Sequence, residues 1–218
     1  MKNLKGREEV IEYSLKLNST NLSPLRSGNI SLRGKEGDKD GYLITPSGKK
    51  YDSLKSENII FMGLNEEPEN TDPGNKPSSE WRFHRDIYLN KKDAQAIVHA
   101  HSPHATAVSS HGKSVPPFHY MIALAGGEDI KCSEYATFGT KELSDNVINA
   151  LTNRSACLMS NHGQVAFGKN LEEAFELAQE IENICQQYII ALKIGEPKIL
   201  SFEEMKKVLD KAKNYKKG

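Results

Sequence analysis

Residues 95–101 read Gln-Ala-Ile-Val-His-Ala-His, so that in an extended chain Gln95, Ile97, His99 and His101 share one face while Ala96, Val98 and Ala100 share the other. The stretch predicts a strand that delivers two imidazoles to one place. Downstream, Pro103 suits the first turn of a helix running to about Ser110, and Thr140 is placed to cap a helix over 141–151. The runs 156–160 and 164–167 read as strands flanking the polar turn Asn161, His162 and Gly163, where glycine would let the backbone turn sharply. Asn170 and Glu173 form a capping-box signature before a helix with Leu171, Ala174, Phe175, Ala178, Ile181, Cys185, Tyr188 and Leu192 on one face. Gly195 and Pro197 end it, and Ser201 with Glu204 opens a last helix.

Upstream, residues 6–17 are loosely periodic and free of interior glycine or proline, which predicts a helix. The β-rich runs 29–33, 41–45 and 58–62 are separated by turn residues, and the polar segment 66–76 reads as a loop before a helix over 79–89. The N-terminal half begins as a sheet and the rest alternates as α/β. At 218 residues, without repeats or low-complexity tracts, the chain fits a single domain over 1–218.

Lys plus Arg and Asp plus Glu each number 29, so no net field favours nucleic acid or an anionic membrane. Cys132, Cys157 and Cys185 are too few and too scattered for a disulfide framework or a metal knuckle. The opening MKNLKGREEVIEYSLKLN mixes charges where a secretory signal needs a continuous apolar segment, and no stretch approaches the roughly 20 apolar residues of a membrane span. A cytoplasmic location is the expectation.

Zinc takes imidazole readily, and a catalytic site typically uses three protein ligands while keeping a position open. His99 and His101 are placed to supply two, and His162 on its turn can close the set; alone, the HxH pair is a weak signal. His84, His104, His111 and His119 read as structural, His104 being the nearest to ligand spacing. Glu80 follows Pro77, Ser78 and Ser79 at a loop-to-helix junction, where it either serves a metal as ligand or base or merely complements a helix dipole. The turn pairs Gly28 with Asn29, Ser47 with Gly48, and Ser78 with Ser79 are either ordinary turn chemistry or parts of a phosphate cradle.

In order, SGNISLR (27–33), LITPSG (43–48), PSSEWRFH (77–84), IVHAHSPHATAVS (97–109), FHYMIALAGG (118–127), YATFGT (135–140) and SNHGQVAFG (160–168) resemble the class II aldolase and adducin-head family, most nearly its L-fuculose-1-phosphate aldolase branch. The resemblance covers nearly the whole chain. It implies a three-layer α/β/α fold with a central, mostly antiparallel sheet, one zinc per subunit, and a homotetramer with sites at subunit boundaries. It also implies cleavage of a ketose 1-phosphate into dihydroxyacetone phosphate and an aldehyde. By the same resemblance His99, His101, His162 and Glu80 are metal ligands and Glu80 the acid/base, while Gly28, Asn29, Ser47, Gly48, Ser78 and Ser79 bind the substrate phosphate. The resemblance also implies that Tyr120 is the proton donor in a neighbour's site and that Tyr215 lies on a tail over the site.

One departure is SPLRS (23–27), where close relatives carry a Gly-Thr type turn, so that Arg26 stands beside the expected phosphate and substrate identity is open. A 5-deoxyribulose or methylthioribulose phosphate aldolase, an epimerase, a dehydratase and a non-catalytic adducin-like module are the alternatives on this scaffold.

Overall fold

The computed structural model describes residues 3–68 and 74–215, with only the main chain for 213–215. Strands β1 (Asn29–Glu36), β2 (Lys39–Ile44), β3 (Ile60–Gly63), β4 (Ala96–Ala100), β5 (Cys132–Ser133), β6 (Ala156–Met159) and β7 (Gly163–Gly168) form one sheet in the order β3-β2-β1-β4-β7-β6-β5. Each neighbouring pair is antiparallel except β5 with β6.

The alternation along β4 is resolved as expected. Ala96, Val98 and Ala100 enter a core shared with Val10 of α1 (Leu4–Ser19), Ala105 of α3 (Pro103–Ser109), Phe175 of α5 (Leu171–Ile194) and Met205 of α6 (Phe202–Tyr215). Ile97 enters a second core with Phe83 and Ile87 of α2 (Trp81–Asn90) and Leu143 and Val147 of α4 (Lys141–Ala150). The sheet is thus covered on both faces, in three layers. Burying each large side chain of these cores contributes about 1.5–3 kcal/mol.

Helix ends follow the sequence signals. Thr140 Oγ1 accepts from Leu143 N at 3.2 Å, Asn170 Oδ1 from Glu173 N at 2.7 Å, and Ser201 Oγ from Glu204 N at 3.2 Å. The β1/β2 hairpin runs further than the apolar pattern foretells: Gly34 to Glu36 pair with Gly41 to Lys39 although the segment is largely charged. Main-chain pairing needs no apolar alternation at a solvated hairpin tip. Residues 58 and 59 are not strand; a 3-10 turn over Ser56–Asn58 precedes β3. The 3-10 run Tyr120–Ala125 and the two-residue β5 are too short to leave a periodic signal.

The role expected of Gly163 is corrected. It is Asn161 that takes the left-handed conformation, at φ 54°, whereas Gly163 is required because a Cβ there would lie 2.3 Å from the Ala100 carbonyl oxygen across the sheet. Gly163→Ala is therefore expected to lower stability by about 1–3 kcal/mol, the range for overpacking, read as a drop in thermal midpoint.

Candidate metal centre

β4 lies at the centre of the sheet between β1 and β7, with His99 opposite Asn29 on one side and Val165 on the other. His101 stands just past the end of β4, where its N–H donates to Ser23 Oγ at 2.8 Å. His162 comes from the β6–β7 turn, its N–H donating to Met159 O at 3.0 Å. Glu80 ends the loop before α2 and holds the N-cap position without capping it; the side chain turns instead towards the histidines.

The ligand-capable atoms of Glu80, His99, His101 and His162 all lie within 4.8 Å of one another. His99 Nε2 is 3.0 Å from His101 Nε2 and 3.1 Å from Glu80 Oε2, and His162 Nε2 is 3.2 Å from Glu80 Oε1. A zinc with Zn–N near 2.1 Å needs tetrahedral donors about 3.4 Å apart, close to these separations.

The chemistry of the donors supports the same reading. His99 Nδ1 lies 2.8 Å from the Gln164 carbonyl oxygen, which can only accept, so Nδ1 carries a proton and Nε2 is the nitrogen directed into the cluster. Glu80 Oε1 is buried and receives no hydrogen bond. Several lone pairs thus converge at hydrogen-bond range; one proton satisfies a single pair of them, and a shared divalent cation satisfies all four groups.

Burial, aided by the neighbouring His99, pushes His101 down to about 3 and His162 down to about 4. Both rings stay neutral, as metal ligands must. Burial alone would raise the Glu80 carboxyl, but His99, His162 and the Asn29 amide outweigh it and hold the group well below the usual carboxylate range. Burial likewise pushes His84 down to about 3. Since the unfolded chain binds protons on these histidines below about pH 6.5 and the folded chain does not, their contribution is fully present above that pH and is lost as pH falls towards 3. Metal-free protein should lose about 1.4 kcal/mol per pH unit per histidine across this window, measured as urea midpoints from pH 7 to 4.

A cavity of about 370 Å³ opens beside the cluster, lined by Gly28, Asn29, Ser47, Gly48, Ser78 and Ser79 as well as Glu80, His101 and His162. The pairs Gly28–Asn29 and Ser47–Gly48 do not close the β1/β2 hairpin. They flank its open end, and Ser78 joins them because its N–H donates to Thr45 O at 2.9 Å and Ser47 N to Lys76 O at 2.9 Å. Gly28 and Gly48 both take positive φ, 76° and 72°. Arg26 lines the same cavity and donates from Nη1 to Gly48 O at 3.2 Å. A larger groove of about 860 Å³ over α5 contains none of these groups.

Other expected residues lie elsewhere. Tyr120 is 55% exposed, stacks on His119 at 4.9 Å, and does not line this cavity of its own chain. The side chain of Tyr215 lies outside the described residues. His104 pairs with Glu182 at 2.7 Å, His111 is exposed, and His119 accepts from Met121 N at 3.2 Å, so none joins the centre. Sequence reasoning missed the partners that hold the centre from behind: the Asn29 side chain, His84 and the Gln164 carbonyl. The Glu80–His84 spacing of i, i+4, one helix face, was the available signal for His84.

Residues 8–189 match the family model described as Class II Aldolase and Adducin N-terminal domain. The chain belongs to the class II aldolase and adducin family. Among curated class II relatives it is 44% identical to "L-fuculose phosphate aldolase" of Escherichia coli strain K12 over 99% of this chain and 97% of that one. It is 43% identical to "5-methylthioribulose-1-phosphate/5-deoxyribulose-1-phosphate aldolase" of Rhodospirillum rubrum over 96% and 91%. A solved structure titled "L-fuculose 1-phosphate aldolase" superposes with a TM-score of 0.90 at 38% identity, covering 98% of both chains. The class II fold implied by the resemblance is the one observed, and membership with such relatives makes the chain a lyase.

Proposed function

We propose that this chain is a zinc-dependent aldolase that cleaves a ketose 1-phosphate to dihydroxyacetone phosphate and an aldehyde, with L-fuculose 1-phosphate or 5-deoxyribulose 1-phosphate as the kind of substrate taken. The observation that carries the reading is the Glu80, His99, His101 and His162 cluster opening directly into the cavity formed by the three turn pairs. Relatives named for the fuculose and the deoxyribulose substrates are 44% and 43% identical, which favours neither.

His99, His101, His162 and Glu80 would hold the zinc, which would supply a Lewis acid for the negative charge that breaking a C3–C4 bond leaves on the dihydroxyacetone phosphate half. Gly28, Asn29, Ser47, Gly48, Ser78 and Ser79 would bind the phosphate, Ser47 and Ser78 through their hydroxyls because their N–H groups are already paired, fixing the reacting carbons beside Glu80. One amide hydrogen and the carbonyl oxygen of the Asn29 side chain are already committed to Glu80 and His84, which leaves its second amide hydrogen for phosphate. Glu80, an anion on a buried site, takes and returns the proton at carbon. Among the described residues no lysine lines the cavity, so none of them is placed to form an imine with the substrate. Tyr120, exposed on its own chain, would act in a neighbouring subunit's site at the C4 oxygen, whose hydroxyl proton leaves on cleavage and is returned to the aldehyde oxygen in the reverse addition. The part proposed for Tyr215 rests on the family resemblance alone, its side chain lying outside the described residues. The Tyr120 role requires an oligomer, for which a homotetramer of single-domain chains is the proposed form. No helix among the described residues is long and apolar enough to cross a membrane, in keeping with a cytoplasmic enzyme acting on a small phosphate ester.

Purified protein should release dihydroxyacetone phosphate from one or both ketoses, followed by coupled NADH oxidation, and a chelator should stop it. Zinc-loaded protein that releases none from either substrate sinks the aldolase assignment and leaves the epimerase and dehydratase readings.

A further inference from the structure

Glu80 is held from behind by a row of buried polar side chains that the reaction does not itself use. On β1, Asn29 and Ser31 share one face; on α2, His84 and Tyr88 follow Glu80 at i+4 and i+8 along one stripe. The two sets interleave. Asn29 Nδ2 donates to Glu80 Oε2 at 2.9 Å, Asn29 Oδ1 meets His84 Nε2, His84 Nδ1 lies 2.7 Å from Ser31 Oγ, and Ser31 Oγ lies 2.7 Å from the Tyr88 hydroxyl. None of the five is more than 6% exposed.

Every proton in this row is fixed by the carboxylate at its end. An ionised Glu80 only accepts, so Asn29 turns its NH2 towards it and its oxygen towards His84. His84 must then donate from Nε2, which leaves Nδ1, in a ring kept neutral by burial, as acceptor for the Ser31 hydroxyl, and Ser31 accepts in turn from Tyr88. The row lies at the edge of the apolar core between the sheet and α2, where packed apolar side chains would be at least as stabilising. Its one asymmetric effect is on Glu80: Oε2 is tied down, while Oε1 faces His162 without a hydrogen bond.

We propose that His84 is a positioning residue for the metal centre, which locks the Asn29 amide with its NH2 towards Glu80 and so aims the carboxylate into the histidine cluster. The proposal rests on the reading of Glu80 as a working group of that centre, but not on which ketose is cleaved. Removal of such outer partners of metal ligands typically costs 10- to 100-fold in metal affinity or activity.

Two nearly isosteric variants separate positioning from general packing. In His84→Gln the amide NH2 takes the place of Nε2–H and keeps the bond to Asn29; in His84→Asn the shorter amide keeps the Ser31 contact and loses the one to Asn29. Zinc affinity by chelator competition is expected to fall about 10- to 100-fold in His84→Asn and to stay within about threefold of wild type in His84→Gln. In the coupled assay kcat falls in the asparagine variant with little change in KM. Nitrogen NMR of the ring in zinc-loaded wild type should report the Nε2–H tautomer. Equal zinc affinity in the two variants, or an Nδ1–H tautomer, overturns the proposal. The affinity and tautomer readouts need no turnover, so they stand even if neither ketose is cleaved.

Discussion

His101→Ala should leave a folded protein that has lost its zinc and turns over at least about 10³-fold more slowly, the effect expected when several kcal/mol of charge stabilisation are withdrawn. His101 is a better probe than His99. It stands past the end of β4 at the mouth of the cavity, whereas His99 is fully buried between β1 and β7 and its ring packs edge-on against Phe83 at 5.4 Å, so that its loss would disturb the core. Metal analysis, circular dichroism and the coupled assay on one preparation are sufficient. Retained stoichiometric zinc would show that His101 is not a ligand.

The second large effect is expected for Glu80→Gln, which keeps the size of the side chain and removes its charge and basicity. Loss of a positioned proton-transfer group lowers rates by about 10²- to 10⁴-fold. Here the drop should appear in kcat, with KM for the ketose phosphate nearly unchanged, because the phosphate contacts come from other residues. Zinc should bind more weakly but still titrate, since three imidazoles remain. Turnover within tenfold of wild type in zinc-saturated protein would remove Glu80 from the proton-transfer role.

Much of this site was legible in the sequence because two periodicities encode it. The alternation at 95–101 sets both the sheet position and the direction of His99 and His101, and the two apolar cores confirm the assignment of faces residue by residue. The turn at 161–163 placed His162 in a connection between strands. What could not be read was the link between distant segments. Asn29 looks like a turn residue until strand pairing sets it opposite His99 and helix packing brings Glu80 and His84 to its amide. Similarly, the adjacency of Gly28 and Ser47 follows from hairpin register, and that of Ser78 from the isolated bridge between Pro46 and Pro77. Composition carries no trace of such pairings. The left-handed φ of Asn161, and the tight approach that excludes a side chain at Gly163, both depend on where the neighbouring chain runs.

The i, i+2 arrangement on β4 also sets which changes of chain length a descendant of this protein can survive. One residue inserted between Ala96 and His99 would exchange the two faces of the strand, pointing His99 into the layer under α5 and an alanine or valine at Glu80. A two-residue insertion would restore the face but move both imidazoles about 7 Å along the strand, out of reach of His162. Around the exposed Gly37–Asp38 turn, by contrast, added residues touch neither ligand nor cradle. Length variation in this lineage should therefore accumulate at the hairpin tip and be purged from the seven residues that carry the histidine pair.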